Sequence, residues 1–333
     1  MKRINNLYSS VTSFENLMKA AKKALKGTKS KTESLEFYYN LESNLINLQN
    51  ELESGTYDPG SYKYFKVFEP KVREIAVAPF RDRVVHHAIV NILEPIYENT
   101  FISDSYATRK NKGTHKAVSK AQEMIKKNEW YLKSDIRKYF PSIDHEVLLS
   151  ILKRKIKDES LLSLLEKIVR NGGADGKGLP IGNLTSQFFA NVYMDKFDHF
   201  VKEELSCKYY IRYMDDFVIF ENDKEKLKEI LVRLSEYLNK NLKLELKENA
   251  TYTNKRKNGL SFLGMRIFPN LIRINSVNLK RSVKKMRIKA RLYSAGKIKD
   301  EDITQSAQSI MGYLKYYNSH QLRQDLIAKG VIY

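Results

Sequence analysis

Residues 209–220 set two adjacent carboxylates, Asp215 and Asp216, between two apolar runs, Tyr209-Tyr210-Ile211 and Phe217-Val218-Ile219-Phe220. Neighbouring like charges repel, and more strongly as a site dries, so a fold that buries these flanks has to compensate the pair. A polar hairpin tip facing water is one solution, because Asp is a common turn residue. A bound cation is the other. A third carboxylate, Asp135, stands 80 residues earlier near the end of the strand-like run Trp130 to Ile136. Hard carboxylate oxygens suit Mg²⁺, which keeps some waters and takes substrate phosphates as further ligands. Two such ions about 4 Å apart activate an attacking oxygen and stabilise a leaving one in phosphoryl transfer.

The overall charge points the same way. Lys plus Arg number 59 against 39 Asp plus Glu, a net of +20 over 333 residues, which suits a phosphate-bearing partner. A Lys-rich background composition accounts for the same excess without any partner. The apolar share of 42% is enough for packed cores and argues against disorder. There is no run of eighteen apolar residues, so no spanning helix is expected, and Met1-Lys2-Arg3-Ile4-Asn5-Asn6 leads into polar sequence rather than an apolar signal core. A single cysteine, Cys207, excludes a disulfide framework or thiolate zinc site within the chain. A soluble protein of the cytoplasm, with no membrane partner, is expected.

From Leu271 to Tyr333 the chain carries 13 Lys or Arg against four acids. Leu279, Val283, Met286, Ala290 and Tyr293 fall at helical spacing, as do Ile303, Ala307, Ile310 and Leu314. The complementary face holds Lys284, Lys285 and Arg287, so this stretch reads as a basic helical module. The first 55 residues are also helical in pattern. Tyr62 to Ala78 reads as two strands closed by Pro79, and Asp82 to Tyr97 as a helix whose His86 and His87 are structural. A helical stretch follows from His145 to about Arg170. Residues 171–182 hold five of the 14 glycines, and a helix runs from about Leu184 to Leu205 with Phe189, Val192, Phe197 and Phe200 toward a core. Strands are expected at Tyr209 to Phe220, Leu242 to Lys247 and Leu260 to Phe268. The pattern is α+β: one antiparallel sheet with helices packed on it.

These residues carry a family resemblance. Tyr213-Met214-Asp215-Asp216 resembles the YxDD box of reverse transcriptases. Asp135-Ile136 with Phe140-Pro141-Ser142-Ile143-Asp144 resembles their first palm motif, and residues 178–187 (Gly-Leu-Pro-Ile-Gly-Asn-Leu-Thr-Ser-Gln) the loop and helix start of their nucleotide pocket. Residues 81–88 are similar to the fingers motif, and Phe262-Leu263-Gly264 to the primer-grip hairpin. The motifs stand in the family's order across about residues 60–270. The resemblance implies a right-hand polymerase fold: N-terminal helices and fingers over 1–125, a palm over 126–270 with a fingers-proximal segment (about 150–182) inserted, and a helical thumb over 271–333.

For the site, the resemblance implies that Asp135, Asp215 and Asp216 are catalytic. The ligands of two Mg²⁺ ions, or Mn²⁺ in their place, would come from these acids and the Ile136 carbonyl, with Asp216 at the rim tuning the charge. Phe140 falls where the family places its gate against a 2′-hydroxyl, implying deoxynucleotide substrates. Arg73, with Lys66 or Lys63, would meet the triphosphate, and Lys247 falls where a lysine protonates pyrophosphate. Ile181, Gly182 and Gln187 would line the nucleotide pocket, Leu263 and Gly264 the primer grip. Lys284, Lys285 and Arg287 would hold the RNA/DNA duplex. Lys63 and Lys66 read as well as a solvated strand face, Lys247 also as a charged residue alternating with Leu on a half-buried strand, and Phe140 also as a core ring.

The subfamily lies in the departures. Most bacterial reverse transcriptases read Gln-Gly-x-x-x-Ser-Pro in the pocket; this chain has Ile181 for the Gln and Gln187 for the Pro. That form resembles the enzymes of diversity-generating retroelements, which implies copying of a template-repeat RNA into cDNA with adenine-directed errors. It also implies a small basic accessory protein, pentameric in the family. A retron-like or defence-associated reverse transcriptase is the alternative, and a non-catalytic RNA-binding protein on a polymerase fold is the reading from a different class.

Overall fold

The computed structural model describes residues 3–26, 32–68 and 71–328. Met1 and Lys2 of the chain start, and 329–333 of the basic C-terminal stretch, lie outside the described residues. The chain forms two compact units, each assembled from separate stretches: 1–109, 135–206 and 232–248 in the first, 110–134, 207–231 and 249–333 in the second.

The first unit is helical around one hairpin. Helices Tyr8–Thr12, Phe14–Leu25, Thr32–Tyr39 and Leu41–Glu53 precede β1 (Lys63–Val67) and β2 (Arg73–Val77), and the long helix Phe80–Glu98 follows. Phe14–Leu25 is capped by Ser13, whose hydroxyl accepts from Asn16 N, and it buries Leu17, Ala20, Ala21 and Ala24. The stretch expected as one helix from His145 is two, His145–Lys155 and Glu159–Arg170. The break falls where Asp158 caps the second helix. Asp158 accepts from Leu161 N at 3.1 Å through one oxygen, and from Leu7 N and Tyr8 N at 2.7 and 2.8 Å through the other. Leu184–His199 then buries Phe189, Val192 and Phe197, and its continuation winds as a π-helix, Phe200–Glu204, around the buried Phe200.

The second unit holds the main sheet, of order β4-β5-β3-β6, with β3 Trp130–Asp135, β4 Tyr209–Tyr213, β5 Asp216–Glu221 and β6 Tyr252–Lys255. Asp135, the last residue of β3, is where the first unit resumes. A second sheet, β7 (Leu260–Phe262), β8 (Met265–Phe268) and β9 (Leu271–Ile274), is antiparallel throughout. Helices Ser276–Ser294, Asp300–Lys315 and His320–Ala328 share a core of Met286, Ile303, Ala307, Leu314 and Leu326.

The structure departs from the sequence pattern at four further places. The strands form three sheets rather than one, because the hairpins at 63–77 and 260–274 pair within themselves. Leu242 to Lys247 is no strand: helix Lys224–Leu242 takes its first residue, and only Leu246 forms an isolated bridge, to Ile136. Leu271–Ile274 is the third strand of a sheet and not the start of a helix. Tyr293, placed on the apolar helix face, is 44% exposed: on helix Ser276–Ser294 the residues packed against the C-terminal core end at Ala290.

Candidate active site

The β4–β5 hairpin pairs Tyr213 with Asp216, which leaves Met214 and Asp215 as a two-residue loop. Met214 takes φ +55° whereas Asp215 stays at negative φ, the pattern of a II′ turn made without glycine. A non-glycine residue held at positive φ needs support from its surroundings. Arg212, fully buried, supplies some: its Nη1 donates to the Met214 carbonyl at 3.0 Å. Thr114 donates to the Tyr213 hydroxyl at 3.2 Å. On the neighbouring strand β3, Lys133 Nζ donates to Asp216 Oδ1 at 2.7 Å, with both side chains mostly shielded from water. Asp216 therefore has its counter-charge within the protein. The sequence signal for it was a lone lysine on an apolar strand, which the family motifs do not include.

Lys133 and Asp135 lie two apart on β3 and so face the same side. Beyond Asp135 the chain bridges Ile136 to Leu246. The flanking peptides make both hydrogen bonds, Lys247 N to Asp135 O and Arg137 N to Glu245 O, each 2.8 Å. In such a non-hydrogen-bonded pair the Ile136 carbonyl points away from Leu246 and is not consumed by the bridge. Lys247 is thus brought beside Asp135 by its backbone.

Asp135 and Asp215 carry carboxylates and Ile136 a carbonyl that the bridge leaves unused, each a hard oxygen of the kind Mg²⁺ takes. Asp135 belongs to the first unit and the pair to the second. Among the described residues no three His, Cys, Asp or Glu side chains gather as a metal cluster.

Phe140 and the glycine-rich loop are joined by backbone. Leu179 N donates to Phe140 O at 2.9 Å and Gly178 N to Ile143 O at 2.8 Å; His145 meets the loop at the Gly176 and Gly178 carbonyls. Tyr139, 3% exposed, takes the core position, while Phe140 is half-buried with its ring edge-on to Tyr139 at 5.5 Å. The loop then docks on β2: Ala76 N donates to Ile181 O at 2.8 Å, and Asn183 Nδ2 to Ala76 O at 3.2 Å. Gly182 sits between them at φ +119°, where a Cβ would fall 2.8 Å from Ile75 Cγ2 and 2.9 Å from Ala76 O. Only glycine permits that approach. Because the Asn183 side chain reaches for Ala76, the first turn of Leu184–His199 has no side-chain cap, and Gln187 lies half-buried on that turn.

The hairpin register separates the basic candidates. Lys66 pairs with Glu74, and Arg73 with Val67, so Lys66 and Arg73 project from opposite faces. Lys63 shares the face of Arg73 and of Ile75, the residue against Gly182. Lys63, Lys66 and Arg73 are all exposed.

Leu263 (φ +48°) and Gly264 (φ +81°) form a two-residue loop between β7 and β8, both at positive φ as a I′ turn requires. A Cβ on Gly264 would lie 2.6 Å from Asn278 Nδ2 and 3.1 Å from the Tyr313 hydroxyl. Lys284, Lys285 and Arg287 are exposed on Ser276–Ser294. His115, which also lies outside the motifs, stacks on Tyr316 at 3.8 Å and shares a hydrogen bond with Tyr317 at 2.8 Å. His86 is buried, in keeping with a structural role.

Residues 66–267 match the family described as Reverse transcriptase (RNA-dependent DNA polymerase). Protein YkfC of Escherichia coli (strain K12) is 26% identical, over 80% of this chain and 83% of its own length. The group II intron-encoded protein LtrA of Lactococcus lactis subsp. cremoris is 23% identical over 67% of this chain, and the chain spans 49% of LtrA. Among solved structures, telomerase from Candida albicans in complex with a fragment of telomeric RNA superimposes with a TM-score of 0.50 at 11% identity, covering 84% of this chain and 60% of that one. That likeness concerns the fold, a mixed helix-and-sheet polymerase fold. No helix among the described residues is long and apolar enough to cross a membrane. With a match spanning more than half its length, from the fingers-like hairpin through the Asp215-Asp216 turn to β8, the chain belongs to the reverse transcriptase (RNA-dependent DNA polymerase) family.

Proposed function

We propose that this reverse transcriptase copies a template-repeat RNA into cDNA with errors concentrated at template adenines, as the enzyme of a diversity-generating retroelement. The observation that carries the reading is the pocket turn. Ile181 and Gln187 stand where most bacterial relatives have Gln and Pro, and the Ile181 backbone is tied to Ala76 while its side chain offers no hydrogen bond. Without a polar group near the incoming sugar, selection of the base rests more on pairing and stacking. Each 1.4 kcal/mol of lost discrimination raises relative error about tenfold. The link to adenine rests on the resemblance.

In this reading, fingers, palm and thumb are arranged along the chain as in the family, and Asp135, Asp215 and the Ile136 carbonyl would hold the metal ions. Bound Mg²⁺ would supply Lewis-acid charge at the reacting phosphate and the attacking oxygen. Asp216, paired with Lys133, tunes the charge at the rim. Arg73 and a lysine of β1 neutralise the triphosphate, with Lys63 favoured over Lys66 by its face. Phe140 excludes the 2′-hydroxyl. Gly182 lets backbone approach the nucleotide, and uncapped N–H groups at Leu184–His199 add polar contacts. Lys247, beside Asp135, donates a proton to the departing pyrophosphate. Leu263 and Gly264 hold the primer end, and Lys284, Lys285 and Arg287 the duplex. Template RNA, deoxynucleotides and a small basic accessory protein are the partners. The intron-encoded relative LtrA favours a second reading, an intron-type polymerase with a template of its own.

The test is sequencing of cDNA made on an RNA template rich in all four bases. Wild type should misincorporate most opposite adenine, and Ile181→Gln, alone or with Gln187→Pro, should lower that error. Even errors across all bases in the wild type contradict the retroelement reading. An adenine bias unchanged in active variants removes the pocket as its cause.

A further inference from the structure

On a chain with a net charge of +20, residues 32–62 carry six acids (Glu33, Glu36, Glu42, Glu51, Glu53 and Asp58) and no lysine or arginine. This segment precedes the family match, which begins at residue 66. Its helices, Thr32–Tyr39 and Leu41–Glu53, are anchored on one side. Phe37 packs on Phe80 with ring centres 5.1 Å apart, Glu33 accepts from Phe80 N, Glu51 pairs with Arg81, and Leu45, Leu48 and Leu52 are buried.

The other side is apolar and open. Leu35 is 51% exposed, Tyr38 52%, Tyr39 89% and Ile46 44%. Leu35 and Tyr39 stand four apart on the first helix, Glu42 and Ile46 four apart on the second, so each pair shares a helix face. Glu36 and Glu42 are exposed, and among the described residues neither has an ion-pair partner. An exposed aromatic and aliphatic centre rimmed by carboxylates has the make-up of a protein interface. Its charge repels phosphate and attracts a basic surface.

We infer that helices Thr32–Tyr39 and Leu41–Glu53 form a docking face for a basic protein, with Leu35, Tyr39 and Ile46 as its apolar centre and Glu36 and Glu42 as its charged rim. The inference rests on the accessory-protein reading above and gives that partner a place to bind. It also removes an electrostatic difficulty: a basic protein meeting this chain at random meets repulsion, whereas this face attracts.

The test is isothermal titration of the full chain with the purified small basic protein encoded in the same locus. Two double variants are compared with wild type: Glu36→Lys with Glu42→Lys, and Tyr39→Ser with Ile46→Ser. Each pair should weaken binding at least tenfold, and the charge reversal should also remove most of its salt dependence. Primer extension by the chain alone should stay at the wild-type level, which reports that both variants fold. Equal binding by wild type and both variants overturns the docking face while leaving the accessory reading intact. No binding to wild type, or no such gene in the locus, overturns both. Loss of RNA affinity in the variants makes the face an RNA surface, and dimers of the chain alone that the variants abolish make the occupant a second copy; either result overturns the inference.

Discussion

Lys133 Nζ donates to Asp216 Oδ1 across 2.7 Å, tying the strand that ends in Asp135 to the strand that opens at the acidic turn. One of two neighbouring carboxylates is thereby neutralised by the protein itself. The repulsion that made Asp215-Asp216 costly is met by a lysine as well as by any cation.

Replacing that lysine should be felt in fold and chemistry together. Lys133→Met takes the ammonium away from Asp216 in a largely shielded position, which costs about 1–2 kcal/mol of stability, below the range for fully buried pairs. The same change removes a positive charge beside the acidic turn. Mn²⁺ should therefore bind more tightly by calorimetric titration, while extension falls at least tenfold. Lys133→Arg should restore most of the stability. Unchanged Mn²⁺ affinity in Lys133→Met would mean that the pair is structural alone.

Phe140→Ala should admit ribonucleotides. The half-buried ring beside Tyr139 is not filling the core, so its removal should leave stability nearly unchanged. The ratio of kcat/KM for a deoxynucleotide over its ribonucleotide should fall at least tenfold, about 1.4 kcal/mol in relative transition-state binding. A constant ratio places the gate elsewhere.

Acid should destabilise the protein through His86. Burial first, then His87 and Arg83, push its imidazole down to about 3, whereas an unfolded histidine titrates near 6.5. Between those values the unfolded chain binds a proton that the folded chain refuses. The stability is therefore complete above pH 6.5 and declines toward pH 3, by about 1.4 kcal/mol per pH unit from this one group. Among the described residues its Nδ1 has no hydrogen-bond partner. Urea unfolding at pH 7 and pH 5 should give a shallower loss for His86→Gln than for wild type. Equal losses would show that other groups set the acid limit.

Removing Lys284, Lys285 and Arg287 together should weaken binding to an RNA/DNA duplex of any sequence. The log–log salt slope should flatten by roughly 0.7–0.9 for each phosphate that the variant no longer neutralises. These side chains point to solvent from a helix whose opposite face carries Met286, so the fold should survive. A slope that stays put assigns the duplex to another surface.

Much of this architecture was legible because local chemistry and tertiary need agree. The two apolar runs around Asp215-Asp216 specify a tight hairpin, the run from Asp82 a helix, and the crowding at Gly182 needs a residue without a side chain. What stayed hidden depends on pairing partners that lie far off in sequence. Leu242 to Lys247 alternates as a half-buried strand would, yet only Leu246 finds a partner, while β6 pairs along most of β3. The faces of Lys63 and Lys66 follow from a register that composition does not encode. Lys133 and His115 take their meaning from residues 83 and about 200 positions away.

We propose that carboxylates at Asp135 and Asp215 carry RNA-templated DNA synthesis. The most direct test is extension of a primer on an RNA template with deoxynucleotides and Mg²⁺, comparing wild type with Asp215→Asn and Asp135→Asn. Folding is checked by thermal melting, since amide and carboxylate are nearly the same size. Wild type should extend the primer and each variant should lose about a thousandfold or more, with similar melting temperatures. Extension at a near wild-type rate by either well-folded variant would contradict this proposal.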